Sequence, residues 1–304
     1  MTNGFTTELH ISGPFREPRQ MLANQEYDGH VSVHDEATAE KLGLAGAPIE
    51  GPTHFSQFDP IGIAMWGSEW FEQGCISSHF ENMVIDGEQV QATAVHTNSQ
   101  IALISAVKLD GTSVLRGTMT LGPDHVSTEL DQRLAAIREP GELFILDQLV
   151  VGTKSPQVEA MMSYDQSNGH LYPFSLKDKL ALITEPSSWY DPAQVGQSPW
   201  GRVIVPTEMV SVLAAKCPGV GKVRGPAVGL FMDLEVRLIN GPIFVGETYV
   251  LQNEIVAVGQ TRRVENYWTR TTISEPSSGK IIATMLLNQG VFKASFGDYP
   301  QDKL

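Results

Sequence analysis

Apolar residues in this 304-residue chain fall into a helical pattern followed by a strand pattern, and that order occurs twice. Pro52-Thr53-His54-Phe55 and Pro206-Thr207-Glu208-Met209 each open a mostly apolar segment, and proline suits the first turn of a helix. Each Pro-Thr pair follows a glycine-containing turn, 46–51 and 201–205. Phe55, Phe58, Ile61, Ile63 and Met65 belong to the first segment, and Met209, Val210, Val212 and Leu213 to the second. Downstream, both copies change to the two-residue period of strands, over 78–90 and 234–249. The turns Asp86-Gly87-Glu88 and Val245-Gly246-Glu247 then lead into longer strand runs. These cover 89–106 and 115–121 in the first half, and 249–258, 263–273 and 280–287 in the second. Glu275-Pro276-Ser277-Ser278-Gly279 is a turn between the last two.

Each half therefore reads as one central helix followed by an antiparallel sheet, an α+β arrangement. The shared order of helix, turn and strands points to duplication. The join is placed near Glu139-Pro140-Gly141, after a polar helical segment over 128–138, giving units 1–139 and 140–304. A sheet curled around one helix buries that helix on all sides, which accounts for its aromatic and methionine side chains as core.

Composition narrows the functions. With 41% apolar residues the chain can bury a large core. A formal charge of −14 repels phosphate backbones, so nucleic acid is not an expected partner. A phosphorylated ligand such as a coenzyme A ester would need a local basic patch. Lys216, Lys222 and Arg224 form one concentration, and Arg262 with Arg263 another; either is equally well a set of solvated loop charges. The cysteines, Cys75 and Cys217, have no metal-binding spacing, and Cys75 between Gly74 and Ile76 reads as a small buried hydrophobe. No basic region followed by an apolar run opens the chain, and no stretch approaches 18 apolar residues, so a soluble cytoplasmic protein without a membrane partner is expected. Phosphate-cradling and dinucleotide-binding glycine motifs and the Gly-x-Ser-x-Gly elbow are missing, and neither cofactor nor metal is implied.

Candidate chemistry concentrates in residues 28–51, DGHVSVHDEATAEKLGLAGAPIEG. Asp28, His30 and His34 handle protons; a short helical segment follows, and a glycine-rich turn leads into the helix at Pro52. The segment Asp35-Glu36-Ala37-Thr38-Ala39-Glu40-Lys41-Leu42-Gly43-Leu44, the approach Ala47-Pro48-Ile49-Glu50-Gly51 and the position of Asp28 resemble the MaoC-type branch of the hot-dog superfamily. That resemblance implies a double hot-dog fold, two fused units each with an antiparallel sheet around a helix. It also implies hydratase or dehydratase chemistry on the 2,3-double bond of acyl thioesters, carried by coenzyme A or a carrier, with Asp28 at the place of the catalytic aspartate. The chain departs from the pattern where Val33 occupies the catalytic histidine position, with His34 next to it, and where Glu50 stands for the histidine before glycine. In the second half Trp189-Tyr190-Asp191-Pro192 occupies the comparable region and offers no Asp/His pair.

A hydratase needs an acid and a base near working pH, and donors at the developing enolate oxygen, which a helix N-terminus supplies. Asp28 is the base or the orienter of a histidine, and His34, His30 and His54 are the other acid/base candidates; His54, in the first helical turn, suits donation to a ligand carbonyl. The Gly51 N–H is the backbone donor, and Glu50 and Thr53 are either ligand groups or helix caps. Trp66, Tyr190, Asp191 and Glu208 are candidates for the ligand cavity. His30 and His34 sit in a β-branched stretch that reads as extended, which sets them on one face but too far apart for a metal. Three functions stand side by side: a hydro-lyase of an enoyl or 3-hydroxyacyl thioester or a related activated carbonyl compound; a thioesterase, isomerase or cyclase of a bulky hydrophobic metabolite, suited by Trp66, Trp70, Trp189 and Trp200; and a non-catalytic binding protein or subunit. A fused pair can stand as a monomer, and a homodimer is equally compatible.

Overall fold

The computed structural model describes residues 9–22, 25–26, 30 and 32–304. The sheet begins with β1 (Leu9–Ser12). The helical segment expected after His34 forms as α1 (Glu36–Lys41). Asp35 caps it, accepting from the Thr38 amide at 2.9 Å and hydroxyl at 2.8 Å. Gly43, at φ +72°, turns the chain out of the helix in the left-handed region that glycine tolerates.

The helix opened by Pro52 comes in two parts, a 3-10 turn series Gly51–Phe58 and α2 (Asp59–Trp66). Pro60 has no N–H, so a regular i→i−4 ladder cannot run through this point. Every residue from Pro52 to Phe58 is buried, as a helix wrapped by a sheet requires. A short α3 (Glu69–Gln73) leads into β2 (Gly74–Phe80), followed by β3 (Val90–Asn98), β4 (Ile101–Lys108) and β5 (Ser113–Leu121). After α4 (Glu129–Ala135), the second half supplies β6 (Val158–Met161), α5 (Leu176–Leu180), the helix start Thr207–Met209 with α6 (Val210–Ala214), β7 (Gly229–Leu238), β8 (Thr248–Gln260), β9 (Val264–Ser274) and β10 (Ile281–Phe292).

All ten strands join in one antiparallel sheet of order β1-β3-β4-β5-β2-β7-β10-β9-β8-β6. Read outward from the β2–β7 seam, the two sides repeat the same order, strand for strand. Each side curls around its own helix, and the fold is a double hot-dog. At the seam Cys75 pairs with Arg237 and His79 with Asp233. Asp233, fully buried, takes contacts from His79 Nδ1 at 2.7 Å, Arg133 Nε at 2.8 Å and Asn288 Nδ2 at 2.6 Å.

Several expected strand limits move. The run 89–106 is two strands, broken at Ser99–Gln100. β2 starts at Gly74 and ends at Phe80, so most of 78–90 is a connection that turns at Gly87, φ +83°. The edge strands β1 and β6, four residues each, carry too few positions to display a period. Val33 and His34 occupy a turn rather than a strand. Both cysteines are buried and free. Among the described residues no helix is long and apolar enough to cross a membrane, and no group of His, Cys, Asp or Glu could hold a metal ion.

Candidate active site

A cavity of about 310 Å³ opens where β2 ends at Phe80 while its partner β7 continues through Gly229–Met232. Its first-half wall is His30, Val33, His34, Pro48–Gly51, His54, Phe80 and Glu81. Its second-half wall includes Phe231, Met232, Tyr267 and Gln289. Tyr267 and Gln289 are cross-strand partners on β9 and β10, and burial pushes the Tyr267 phenol up to about 12.

Local geometry delivers each group. The chain from Ala47 to Glu50 is held beside the 82–88 connection, with Pro48 bridged to Ile85 and the Ile49 amide on the Val84 carbonyl at 2.6 Å. This sets Gly51 against the Phe80 ring so closely that a Cβ there would lie 2.6 Å from ring carbons. Space at that position is limited by the Phe80 ring, not by the backbone angle.

The ring of His34 is fixed by Nδ1 lying 2.7 Å from the Pro48 carbonyl. A carbonyl only accepts, so Nδ1 carries the proton and Nε2 keeps a lone pair. Loss of hydration holds the imidazole below its usual value, hence neutral, against the smaller opposing effect of that hydrogen bond. His30 approaches the Ala227 carbonyl through Nδ1 at 3.3 Å. His54 is 3% exposed, and burial, with Lys179 and Lys108 nearby, pulls it down to about 4. Its Nδ1 has no hydrogen-bond partner among the described residues.

Glu50 does not cap the helix it precedes. Its Oε1 accepts instead from the Tyr172 hydroxyl at 2.6 Å. Burial pushes the carboxyl up to about 7, opposed by Tyr172 and by Lys179. Thr53 does not cap either; its hydroxyl accepts from Lys179 Nζ at 3.4 Å.

These contacts are part of a row. A 3-10 helix has three residues per turn, so Glu50, Thr53, Ser56 and Asp59 line up. They meet, in order, Tyr172, Lys179, Thr184 at 3.3 Å and Tyr190 at 3.0 Å, all from one segment of the second half. Asp59 also accepts from Trp70 Nε1 at 2.9 Å, the Thr207 amide at 3.2 Å and the Thr207 hydroxyl at 2.5 Å. Glu208, which matches His54 in the duplicated motif, is 2% exposed and lies 3.6 Å from Lys179 Nζ. Burial pushes it, too, up to about 7 despite the lysine.

Of the residues singled out in the sequence, His30, His34, Glu50, Gly51 and His54 come together around the cavity. Asp28 lies outside the described residues. Thr53 and Glu208 both meet Lys179 of α5, and Tyr190 donates to Asp59; none of the three lines this cavity. Two further candidates lie away from this cavity. Trp66 stacks on Trp70 and donates from Nε1 to the Ser99 carbonyl at 2.9 Å, away from the cavity, because α2 carries it past the site. Asp191 is half-buried, lines a separate cavity of about 420 Å³ beside Tyr190, and caps the next turn by accepting from the Ala193 amide at 2.8 Å. Trp189 and Trp200, both half-buried, pack edge-on with Phe71 at the margin of the core. Tyr172, Lys179, Asp59, Tyr267 and Gln289 carry the arrangement without having stood out. The three-residue spacing from Glu50 to Asp59 was the available signal for the row.

No family model matches the chain, and no curated protein matches it. Solved structures similar to it include a MaoC-like dehydratase (TM-score 0.45, 14% identity, 85% of this chain and 87% of that one). A Mycobacterium tuberculosis protein, Rv0216, described as having a double hot-dog fold, matches at TM-score 0.48 and 12% identity over 82% of this chain and 84% of that one. The dehydratase domain of PpsC from the same organism, solved with C12:1-CoA, matches at TM-score 0.43 and 12% identity over 81% and 85%. The chain is thus similar to MaoC-like dehydratases and double hot-dog dehydratase domains, at identities that leave its own reaction to be argued from its site.

Proposed function

We propose that the cavity is the active site of a hydro-lyase acting on an enoyl or 3-hydroxyacyl thioester, or on a related activated carbonyl compound. The observation that carries this reading is Glu50. Its carboxyl lines an apolar cavity at the start of the helix, and burial sets it at about 7, where it gives and takes protons equally well.

The chemistry follows in the dehydration direction. His34 Nε2, unprotonated because Nδ1 is committed to Pro48, takes a proton from C2. The electron pair moves onto the thioester carbonyl, whose oxygen is met by the Gly51 N–H and by His54 as a neutral donor. As the enolate collapses it forms the C2–C3 double bond and breaks C3–O; protonated Glu50 delivers a proton to the departing hydroxyl, which leaves as water. Hydration reverses these steps. Asp28, two residues before His30, keeps the role that the family resemblance implies, as base or as orienter of a histidine.

The test is turnover of crotonyl-CoA and longer enoyl-CoA esters, followed by loss of the conjugated thioester absorbance. Turnover that disappears in Glu50→Gln and in His34→Gln is expected. No turnover above blank at high enzyme concentration overturns the reading. Asp28→Asn, if fully active, removes Asp28 from the chemistry.

One observation favours a second reading, an isomerase, cyclase or thioesterase for a hydrophobic metabolite without phosphates. No lysine or arginine lines the cavity among the described residues, and Arg224, next to the lining Val223, is paired with Asp147 at 2.5 Å. Crotonyl-N-acetylcysteamine, which lacks phosphates, tests whether the phosphates contribute. A kcat/KM for the short thioester close to that for the coenzyme A ester places the ligand's binding energy in the cavity alone.

A further inference from the structure

Three consecutive residues of the second half, His170, Leu171 and Tyr172, each bond to a different part of the first-half site. The His170 carbonyl accepts from the Glu26 amide at 3.0 Å. The Leu171 carbonyl accepts from Gln25 Nε2 at 3.0 Å. Tyr172 donates to Glu50. From Gln25 the bonds continue: its Oε1 accepts from the Ser32 hydroxyl at 2.8 Å, and the Ser32 oxygen accepts from the His34 amide at 3.1 Å. Tyr172 and Leu171 thus lie at the root of both proposed acid/base groups.

The strap itself is tied down. Asn168 donates from its amide, at 3.0 Å, and from Nδ2, at 2.9 Å, to the Phe174 carbonyl, closing the loop across 168–174. The Phe174 ring stands edge-on to that of Tyr172, with centroids 6.0 Å apart. Ser175 and Asp178 then form a reciprocal cap on α5. A buried phenol needs an acceptor, and that need alone would explain a tyrosine beside a carboxylate. It does not explain why its two preceding neighbours bond to Glu26 and to Gln25, whose side chain leads through Ser32 to His34.

We propose that Tyr172 is a positioning residue of the active site: its hydroxyl holds Glu50 through Oε1 and leaves Oε2 to the ligand, while the strap it belongs to, residues 168–174, steadies His34 through Gln25 and Ser32. The second unit, which has no Asp/His pair of its own, contributes this way to the chemistry of the first. The inference rests on the hydro-lyase reading for its kinetic consequence but not for its structural one.

The experiment therefore has two arms. In the first, the Glu50 carboxyl is followed by carbon-13 NMR against pH in the full chain, its signal identified by loss in Glu50→Gln. Tyr172→Phe keeps the ring and removes the donor; the midpoint moves up by about one pH unit. Replacement of Tyr172 by 3-fluorotyrosine keeps the bond and strengthens the donor, so the midpoint moves down, and this variant retains the test if phenylalanine impairs folding. Unmoved midpoints in both overturn the proposal, whatever the enzyme does to thioesters. In the second arm, crotonyl-CoA turnover by Tyr172→Phe falls about 10- to 100-fold in kcat with KM little changed, and its pH profile moves with the Glu50 midpoint. A wild-type profile in that variant overturns the positioning role even if the carboxyl titration moves.

Discussion

Glu50 and Gly51 show how much of this site depends on single side chains. A carboxyl raised to about 7 in the fold keeps its proton after the unfolded chain, near the ordinary 4.5, has released it. Its contribution to stability is complete below about 4.5 and is lost as pH rises through about 7, and buried Glu208 follows the same course. His54 runs the other way, supporting the fold above 6.5 and losing that support as pH falls towards about 4. Glu50→Gln removes one group that opposes folding at high pH. Its melting temperature relative to wild type is expected to climb by several degrees between about pH 5 and about pH 8; a constant difference would show that Glu50 is not perturbed. At Gly51 an added methyl meets the Phe80 ring at 2.6 Å, and because both residues line the cavity, displacing that ring reshapes its wall. Gly51→Ala should raise KM, or the Kd of a bound thioester, by about 10-fold, measured by steady-state kinetics or calorimetry.

The helix that opens at Gly51 is, beside the β2–β7 seam, a second place where the two units meet. Its 3-10 part places Glu50, Thr53, Ser56 and Asp59 in one row, and the segment 172–190 supplies a partner to each. Asp59 holds the end of the row, with donors from Trp70, Tyr190 and Thr207. Asp59→Ala strands all of them in a dry interior, and a loss of about 3 kcal/mol or more is expected in urea unfolding; a loss under about 1 kcal/mol would mean that the row is not structural. The existence of this helix was legible from Pro52 and the apolar residues after it. Its 3-10 character was not, since Pro60 had to be weighed against an α-helical spacing. For the same reason Glu50 looked like a cap or a stand-in for histidine. Its partner Tyr172 is far away in sequence, and nothing local marks it.

At the scale of the molecule, the duplicated pattern did foretell the mirrored sheet, because both Pro-Thr starts are followed by the same turns and long strands. It did not foretell the seam. Nothing in the sequence marks Asp233, which is fully buried where β7 meets β2 and is met there by His79, Arg133 and Asn288. Asp233→Ala should cost about 1–3 kcal/mol by leaving the buried Asn288 amide without its acceptor, again readable in urea unfolding. Across that seam the cavity draws walls from both units, and the asymmetry of the sequence acquires a physical meaning: the first unit brings Glu50, His34 and His54, and the second brings the strap and the far wall.

The central claim is that Glu50 is the acid/base group of a thioester hydro-lyase. The most direct test is the pH dependence of enoyl-CoA hydration by wild type and by Glu50→Gln. The account predicts a wild-type profile that turns over near pH 7, where burial sets the carboxyl. It also predicts a kcat lowered about 10²- to 10⁴-fold and stripped of that titration in the variant. A Glu50→Gln protein that hydrates at the wild-type rate with the wild-type profile would contradict it.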